Sequence, residues 1–446
     1  MTEKKATGLN YLLGRAVSLR GEIAWVAFGQ GLVFLGGFAS VKALTTLMGP
    51  EEYGRLALGL TVAGFLNMFV YGPVGQAVAR YFSVFRERGE LLLYNRVILN
   101  THKSAALFVI AGGAAVFAAV YVFLDLSWAS LVFAAIIFSV VTGWNGTFFW
   151  LLSAMRQRKL TAMHQAADAW LRLTMAVAGV TLVKNGAVTV LAGYLAGTSI
   201  VCLSQLVFTR RVEAVRENLG PAPWDRVVKA RDEFLRYASS FTLFAIPAAI
   251  NVYSDRWILQ GLSGAQEVGV YVAVYQIANA PVALLLGVIN QLMIPIIYER
   301  AGDMSSKEQE RAAHRLLYGL IGIFAVFSLV VTAAAYFFSL PVVRLFTAPA
   351  FAEYHYLLWI LVAAISLSWI GNLMSIEAEY HKRPMATFWP KCIYSAVLVS
   401  LGIILGRTMG AAGVAAGLAA ASAVYVVSVA VALKIILKRN SGILDK

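Results

Sequence analysis

The sequence predicts an all-α polytopic membrane protein of about twelve transmembrane helices, in two parallel-repeat six-helix bundles around a central cleft. Three observations predict it. Of 446 residues 60% are hydrophobic and 13% charged, with a mean hydropathy of +0.73, whereas soluble domains carry roughly 25% charge. Apolar runs longer than about 18 residues recur, the length that crosses roughly 30 Å of hydrocarbon as a helix. A single long polar stretch divides the chain, and one short turn recurs on both sides of it.

The apolar runs place spans near 22–47, 55–82, 104–124, 129–154, 160–183 and 187–209, then near 236–261, 267–297, 316–346, 356–380, 384–406 and 411–437. The N-terminal bundle is thus 1–209, a cytoplasmic linker 210–235, and the C-terminal bundle 236–446, with Gly220-Pro221-Ala222-Pro223 in the linker. Alternate loops hold about 29 of the 37 Lys and Arg residues, among them Arg86, Arg88, Arg96, Arg156, Arg158, Lys382 and Arg383. The opposite loops hold Arg55, Lys184, Arg344 and Arg407. The positive-inside rule makes the basic side cytoplasmic, so both termini are expected there. No apolar region with a cleavage site follows the basic N-terminus, and no signal peptide is expected.

The net charge of +14 is spread through these loops as a topology signal and predicts no nucleic-acid partner. Cys202 and Cys392 fall inside spans and read as small hydrophobes rather than a disulfide or metal pair. No phosphate-binding G-x-x-x-x-G-K-[ST] loop, H-E-x-x-H, Cys/His cluster or G-x-S-x-G is present. The loops opposite the basic side are too short for a catalytic domain. The expectation is a protein that is not an enzyme and takes no cofactor or metal. Asn145-Gly146-Thr147 matches a glycosylation triplet but lies within span four.

Gly49-Pro50-Glu51-Glu52-Tyr53-Gly54-Arg55 joins spans one and two, and Gly264-Ala265-Gln266-Glu267-Val268-Gly269-Val270 joins spans seven and eight. Gly49, Glu52 and Gly54 match Gly264, Glu267 and Gly269. Helix-start chemistry accounts for part of the likeness: Pro50 suits a first helical position, Glu51 and Glu52 suit the positive end of the dipole, and Ser263 with Gln266 forms an S-x-x-Q capping box. The shared topological position points further, to duplication. An even number of spans separates the copies, so they run parallel, as in transporters that bind substrate at the repeat interface.

The run Leu47-Met48-Gly49-Pro50-Glu51-Glu52-Tyr53-Gly54, the later Gly72-Pro73 and Ala79-Arg80-Tyr81, and Asp255-Arg256 followed by Val268-Gly269-Val270-Tyr271 resemble the polysaccharide-exporter, or Wzx-type flippase, branch of the MOP superfamily. MATE drug exporters and lipid II flippases share that superfamily; the latter have two further helices. The resemblance implies a flippase that moves an undecaprenyl-diphosphate-linked oligosaccharide from the cytoplasmic to the periplasmic leaflet. It implies membrane lipids, and a polymerase and glycosyltransferases of the same pathway, as partners. A MATE-like exporter of small cations is the alternative, and a polymerase or ligase of the pathway a third reading.

Ionisable groups within spans face a cavity or a partner by default. Lys42 lies about twenty residues into span one, and Asp255 and Arg256 about as far into span seven. Lys42 and Arg256 are candidates to hold diphosphate or acidic sugar groups, with Asp255 tuning them or exchanging a proton; an ion pair of Lys42 with Asp255, or snorkelling, is the structural alternative. In span five His164, Asp168 and Arg172 share one helical face, the last two as an i,i+4 pair, with Arg172 about 18 Å into the membrane. Asp168 and His164 are candidates for ion coupling and Arg172 for substrate contact, against a self-neutralised pair that only packs the bundle. Glu377, Glu379, His381 and Lys391 flank the turn between spans ten and eleven, with Lys391 expected to pair with Glu377. Arg80 ends span two beyond Gly72-Pro73, a candidate for substrate contact or a topology anchor; Pro73, Pro247 and Pro281 are hinge candidates. Deep bases (Lys42, Arg172, Arg256, Lys391) outnumber deep acids (Asp168, Asp255), which favours an anionic substrate.

Overall fold

The computed structural model describes residues 20–123, 125–211, 223–302 and 307–444. Among them every regular element is helical. Helices α1 (Arg20–Leu47), α2 (Pro50–Leu66), α3 (Gly72–Glu87), α4 (Leu91–Phe123), α5 (Leu126–Ala154), α6 (Arg158–Leu182) and α7 (Ala187–Arg211) precede the polar divide. After it come α8 (Trp224–Ser263), α9 (Ala265–Val288), α10 (Ile294–Ala301), α11 (Lys307–Phe337), α12 (Ser339–Phe346), α13 (Leu357–Tyr380) and α14 (Phe388–Leu444).

Nine segments of the described residues are long and apolar enough to cross a membrane. The last, Pro384–Ile435, contains a sharp reversal at Gly410, whose φ of 57° and ψ of −134° no helix contains, and so comprises two crossings. Helices α6 and α8, whose internal charges lower their hydropathy, complete about twelve. The protein is a multi-pass membrane protein. The α14 hairpin closes through small residues: a Cβ on Gly413 would lie 2.8 Å from the Gly406 nitrogen, and one on Gly417 2.9 Å from that of Gly402. Such close backbone approach is how helices associate where lipid removes the hydrophobic drive.

The chain forms two compact units, Lys42–Val272 and the combination of Met1–Val41 with Ala273–Lys446. In the first, α6 lies along α7, α5 packs against α2, α3, α4 and α7, and the start of α8 packs on α3 and α4. In the second, α13 packs between α11 and α14. The stretch read as a linker is helical from Trp224 onward. Its apolar side enters a core: Val227, Phe234 and Ala238 meet Phe82, Phe85 and Tyr94, while Arg226 pairs with Glu90 and Arg231 donates to Asn100 at 3.2 Å. An amphipathic start thus reads as polar by composition while burying a stripe. The 212–222 part of the expected linker, including Gly220 to Ala222, lies outside the described residues.

Span boundaries differ where backbone geometry intervenes. Span two begins at Pro50, and the expected ninth span ends at Phe337, followed by the separate short α12. Pro247 and Pro281 sit inside unbroken helices. The breaks are instead two π-helical segments, Asn67–Tyr71 ahead of Pro73 and Ile289–Met293 ahead of Pro295. A π turn holds one extra residue and frees a carbonyl, which is what a proline following it requires. Both segments are separated from their counterparts by the same 222 positions, as are the two prolines.

Candidate functional site

The recurrent turns meet within the Lys42–Val272 unit. Pro50 opens α2, and Gly49 before it is extended. In the second copy Gly264 takes a φ of 83°, a left-handed conformation that suits glycine, and α9 starts at Ala265. Gly264 thus stands at the cap in place of the expected Ser263 box. Gly54 and Gly269 lie at the crossing of α2 and α9. A Cβ on Gly54 would overlap the Ala265 carbonyl and lie 2.8 Å from the Gly269 nitrogen; one on Gly269 would overlap the Pro50 carbonyl and lie 2.9 Å from the Gly54 nitrogen. Pro50 and Ala265 are repeat mates, as are Gly54 and Gly269, so the contact is its own image under a local two-fold.

Glu52 adds a role that helix-dipole reasoning does not reach. Its Oε2 accepts from the Ala187 nitrogen at 2.8 Å, capping α7, and its Oε1 lies 3.6 Å from Arg55. Asn185 donates to the Leu47 carbonyl at 2.7 Å. The turn after α1 and the start of α7 are tied together.

Asp255 and Arg256 sit two turns before Gly264 and are 2% and 8% exposed. Asp255 Oδ2 accepts from the Tyr271 hydroxyl at 2.9 Å, and Oδ1 from the Arg256 nitrogen at 2.8 Å. The acid is thereby held across the repeat turn by the residue that follows Gly269-Val270. The Arg256 guanidinium lies 5.6 Å over the Tyr253 ring and its charge reaches Tyr53. Gly64 leaves room for Tyr253, whose Cζ would stand 2.6 Å from a Cβ there, and Trp257 donates to Thr61 at 3.0 Å. α2 and α8 therefore grip each other around the Asp255-Arg256 step. Lys42 is exposed on α1, its carbonyl taking the Thr45 and Thr46 hydroxyls.

The span-five face is closed on itself. Asp168 and Arg172 pair at 2.6 Å, Arg172 Nε donates to Thr198 at 2.8 Å, and Thr198 donates to Asp168 at 2.9 Å. The guanidinium also covers the Phe138 ring at 5.2 Å. This triangle stands where α7 comes nearest: a Cβ on Gly193 would be 2.7 Å from the Ala176 Cα, and one on Gly197 2.8 Å from the Arg172 nitrogen. Gly193 and Gly197 form a G-x-x-x-G step, a close-packing signal that the sequence itself carries. His164 is buried on the same pair of helices, Nδ1 2.8 Å from the Leu160 carbonyl and Nε2 3.1 Å from Ser204. Arg80 is exposed beside Tyr81, which donates to Glu233 at 3.3 Å.

In the other unit Glu377 is 1% exposed and joins the deep acids. The expected pairing of Lys391 with Glu377 gives way to another: Glu377 takes His314 Nδ1 at 2.9 Å and the Tyr318 hydroxyl at 2.7 Å, while the acid whose charge acts on Lys391 is Glu379. His314 is 63 positions away on α11, beyond the reach of any local spacing rule. Among the described residues no group of three or more His, Cys, Asp or Glu is placed to hold a metal.

Residues 19–300 of the chain match the family described as polysaccharide biosynthesis protein. Among solved structures, lipid II flippase MurJ in an inward closed conformation is similar with a TM-score of 0.67 and 14% identity, over 91% of this chain and 86% of that one. A multidrug-resistance MATE family transporter of the MOP superfamily, outward-facing, is similar with a TM-score of 0.64 and 14% identity, over 94% and 96% of the two chains. A MOP superfamily transporter from Pyrococcus furiosus has a TM-score of 0.62 and 14% identity with full coverage of both chains. Among curated proteins none matches. The matched family spans more than half of the chain and the fold is that of the MOP superfamily: this protein belongs to the polysaccharide biosynthesis protein family.

Proposed function

We propose that this protein is a secondary flippase that carries an undecaprenyl-diphosphate-linked oligosaccharide from the cytoplasmic to the periplasmic leaflet of a bacterial inner membrane, with both termini cytoplasmic. Family membership and the fold shared with a lipid II flippase support the class of cargo. One observation carries the reading to this chain's residues: a guanidinium, Arg256, 8% exposed, stands within the bundle over the Tyr253 ring, next to an Asp255 fixed by Tyr271 and a backbone nitrogen. An arginine set beside Tyr253 and Tyr53 suits a diphosphate, which it can bind through two oxygens, with aromatic faces for sugar rings. Lys42 supplies a second, point-like charge on α1. The Asp168–Arg172–Thr198 triangle and His164 serve α6–α7 packing in this reading, and Arg80 holds topology at a helix end.

The carrier needs no chemistry on its cargo. It must expose one site to each leaflet in turn, and the turn-on-turn crossing at Gly54 and Gly269 with the π breaks near Pro73 and Pro295 provides rigid and compliant parts for that. Similarity to MATE transporters together with the buried acid Asp255 favours a second reading, export of small cations.

A deletion strain complemented by wild type or by Lys42→Ala/Arg256→Ala separates the two. Lipid-linked intermediates trapped in the cytoplasmic leaflet and released by wild type alone support the flippase and its cationic site. Normal surface polysaccharide with heightened sensitivity to cationic dyes moves the reading to drug export. Full rescue by the double variant removes Lys42 and Arg256 from the site.

A further inference from the structure

We propose that Glu377 and His314 form the proton-loading site that couples transport to the proton gradient, a role that rests on the flippase reading for its cargo but not for its chemistry. The geometry is that of a relay. Glu377 is 1% exposed near the end of α13, whereas the His314 side chain on α11 is 48% exposed. One imidazole therefore spans the distance between a sealed carboxylate and the surroundings. His314 Nδ1 stands 2.9 Å from Glu377 Oε1, and against a carboxylate that nitrogen carries the hydrogen. Nε2 is left to meet an incoming proton. A proton arriving on Nε2 and the Nδ1 hydrogen passing to Oε1 turn the carboxylate into a neutral acid and leave the imidazole neutral with its hydrogen on Nε2. The reverse transfer unloads the site.

The donors around Glu377 select the ion. Oε1 faces His314 and Oε2 takes the Tyr318 hydroxyl at 2.7 Å, so hydrogen-bond donors occupy both oxygens. A sodium-like cation requires several oxygen acceptors converging on one point; a proton requires a single lone pair. A buried carboxylate is costly unless compensated, so loading the proton changes how tightly α11 and α13 hold together, which is what coupling demands.

The surrounding charges are those of a buffered site. From α11, Arg311 stands one turn before His314 and Arg315 directly follows it, and Glu310 reaches towards His381, whose Nε2 is 3.7 Å away. From α13, Tyr380 feels Glu377, Tyr318 and Glu310. The short α10 contributes Tyr298, bonded to Glu379, followed by Glu299 and Arg300. α14 contributes Lys391, on which Glu379 acts, and Tyr425, which that acid also reaches. The 3-10 turn Pro384–Thr387 against α13 carries no titratable side chain, and α12 carries Arg344, which begins beyond the far end of α11 from His314. On the expected topology the dyad faces the cytoplasm.

Two measurements on the full-length protein test this. Infrared titration of the purified protein in lipid should show a carboxyl band that appears with acidification, is lost in Glu377→Gln and moves in pH in His314→Gln; a spectrum unchanged by Glu377→Gln overturns the proposal whether or not the cargo is known. In everted membrane vesicles containing native lipid-linked intermediates, one pH unit should bias wild-type transport about tenfold for each exchanged proton. Glu377→Gln should keep gradient-free exchange and lose that bias. Retained bias in Glu377→Gln overturns the proposal. Absence of any wild-type movement instead counts against the flippase reading, and the infrared result still decides the site. If Glu377→Gln does not accumulate, the half-exposed His314→Gln carries both readouts.

Discussion

Replacing Gly54 by alanine should loosen the crossing of the two repeat turns. The added carbon would stand 2.8 Å from the Gly269 nitrogen and nearer still to the Ala265 carbonyl, whereas such pairs rest at roughly 3.5–4.0 Å. Clearing the nearer clash, with the Ala265 carbonyl, requires the two helix starts to part by roughly 2 Å, which forfeits most of the dispersion energy of the contacts it opens. Overpacking of this kind costs about 1–3 kcal/mol. Gly269→Ala meets the Pro50 carbonyl and the Gly54 nitrogen in the mirror arrangement and should cost the same. One separation relieves both overlaps, so the double variant should be less destabilised than the sum by about 0.5 kcal/mol or more. Gly146→Ala is the control: nothing lies within 4 Å of its added carbon, and alanine there should be neutral or gain up to about 1 kcal/mol of helix propensity. Thermal unfolding in detergent, followed by helical circular dichroism, reads all four. Wild-type stability in both single variants, or strict additivity in the double, would refute the shared contact.

Arg172→Met leaves Asp168 with Thr198 alone and should cost about 3–5 kcal/mol, part of it restored by adding Asp168→Asn, as melting temperatures would show. Gly410→Ala forces a side chain into a φ of 57° with ψ of −134° and should cost about 1–3 kcal/mol, seen as a lower yield of folded protein. With Cys202 and Cys392 replaced by alanine, single cysteines at Arg88 and Lys184, both exposed, should react with an impermeant thiol reagent from opposite sides of the membrane; labelling from one side would overturn the orientation.

The features legible in the sequence are those set by short-range rules. Hydropathy alone marks α4, α5 and α13 because nothing but lipid tolerates such runs. The Asp168–Arg172 pair is an i,i+4 spacing, and the repeat turn is a run of seven residues. What escaped depends on partners distant in the chain or on backbone geometry without a residue signature. Glu377 reads as a helix-end acid until α11 brings His314 and Tyr318 to it. Tyr271 stands in the run that carried the resemblance, yet its bond to Asp255 needs the turn to fold first. The π breaks hide because Pro247 and Pro281 look no different in sequence from Pro73 and Pro295. α8 was shortened because its amphipathic beginning lacks the uniform hydropathy of a span.

The paired π segments also carry a consequence for the shape of each half. Each lies two residues ahead of a proline, and the same interval of 222 positions separates both the segments and the prolines. The repeat turns are 215 positions apart, so the interval from turn to bend is seven residues, about two helical turns, longer in the second half, with the same bend at its end. The bend thus recurs at matched positions in the two halves although the length between turn and bend differs. Removing one residue from Asn67–Tyr71 would restore an ordinary helix; because the π turn takes up its extra residue locally, α3 would keep its buried side inward and lose only the bend ahead of Pro73. What the two halves share is thus an angle as much as a set of side chains.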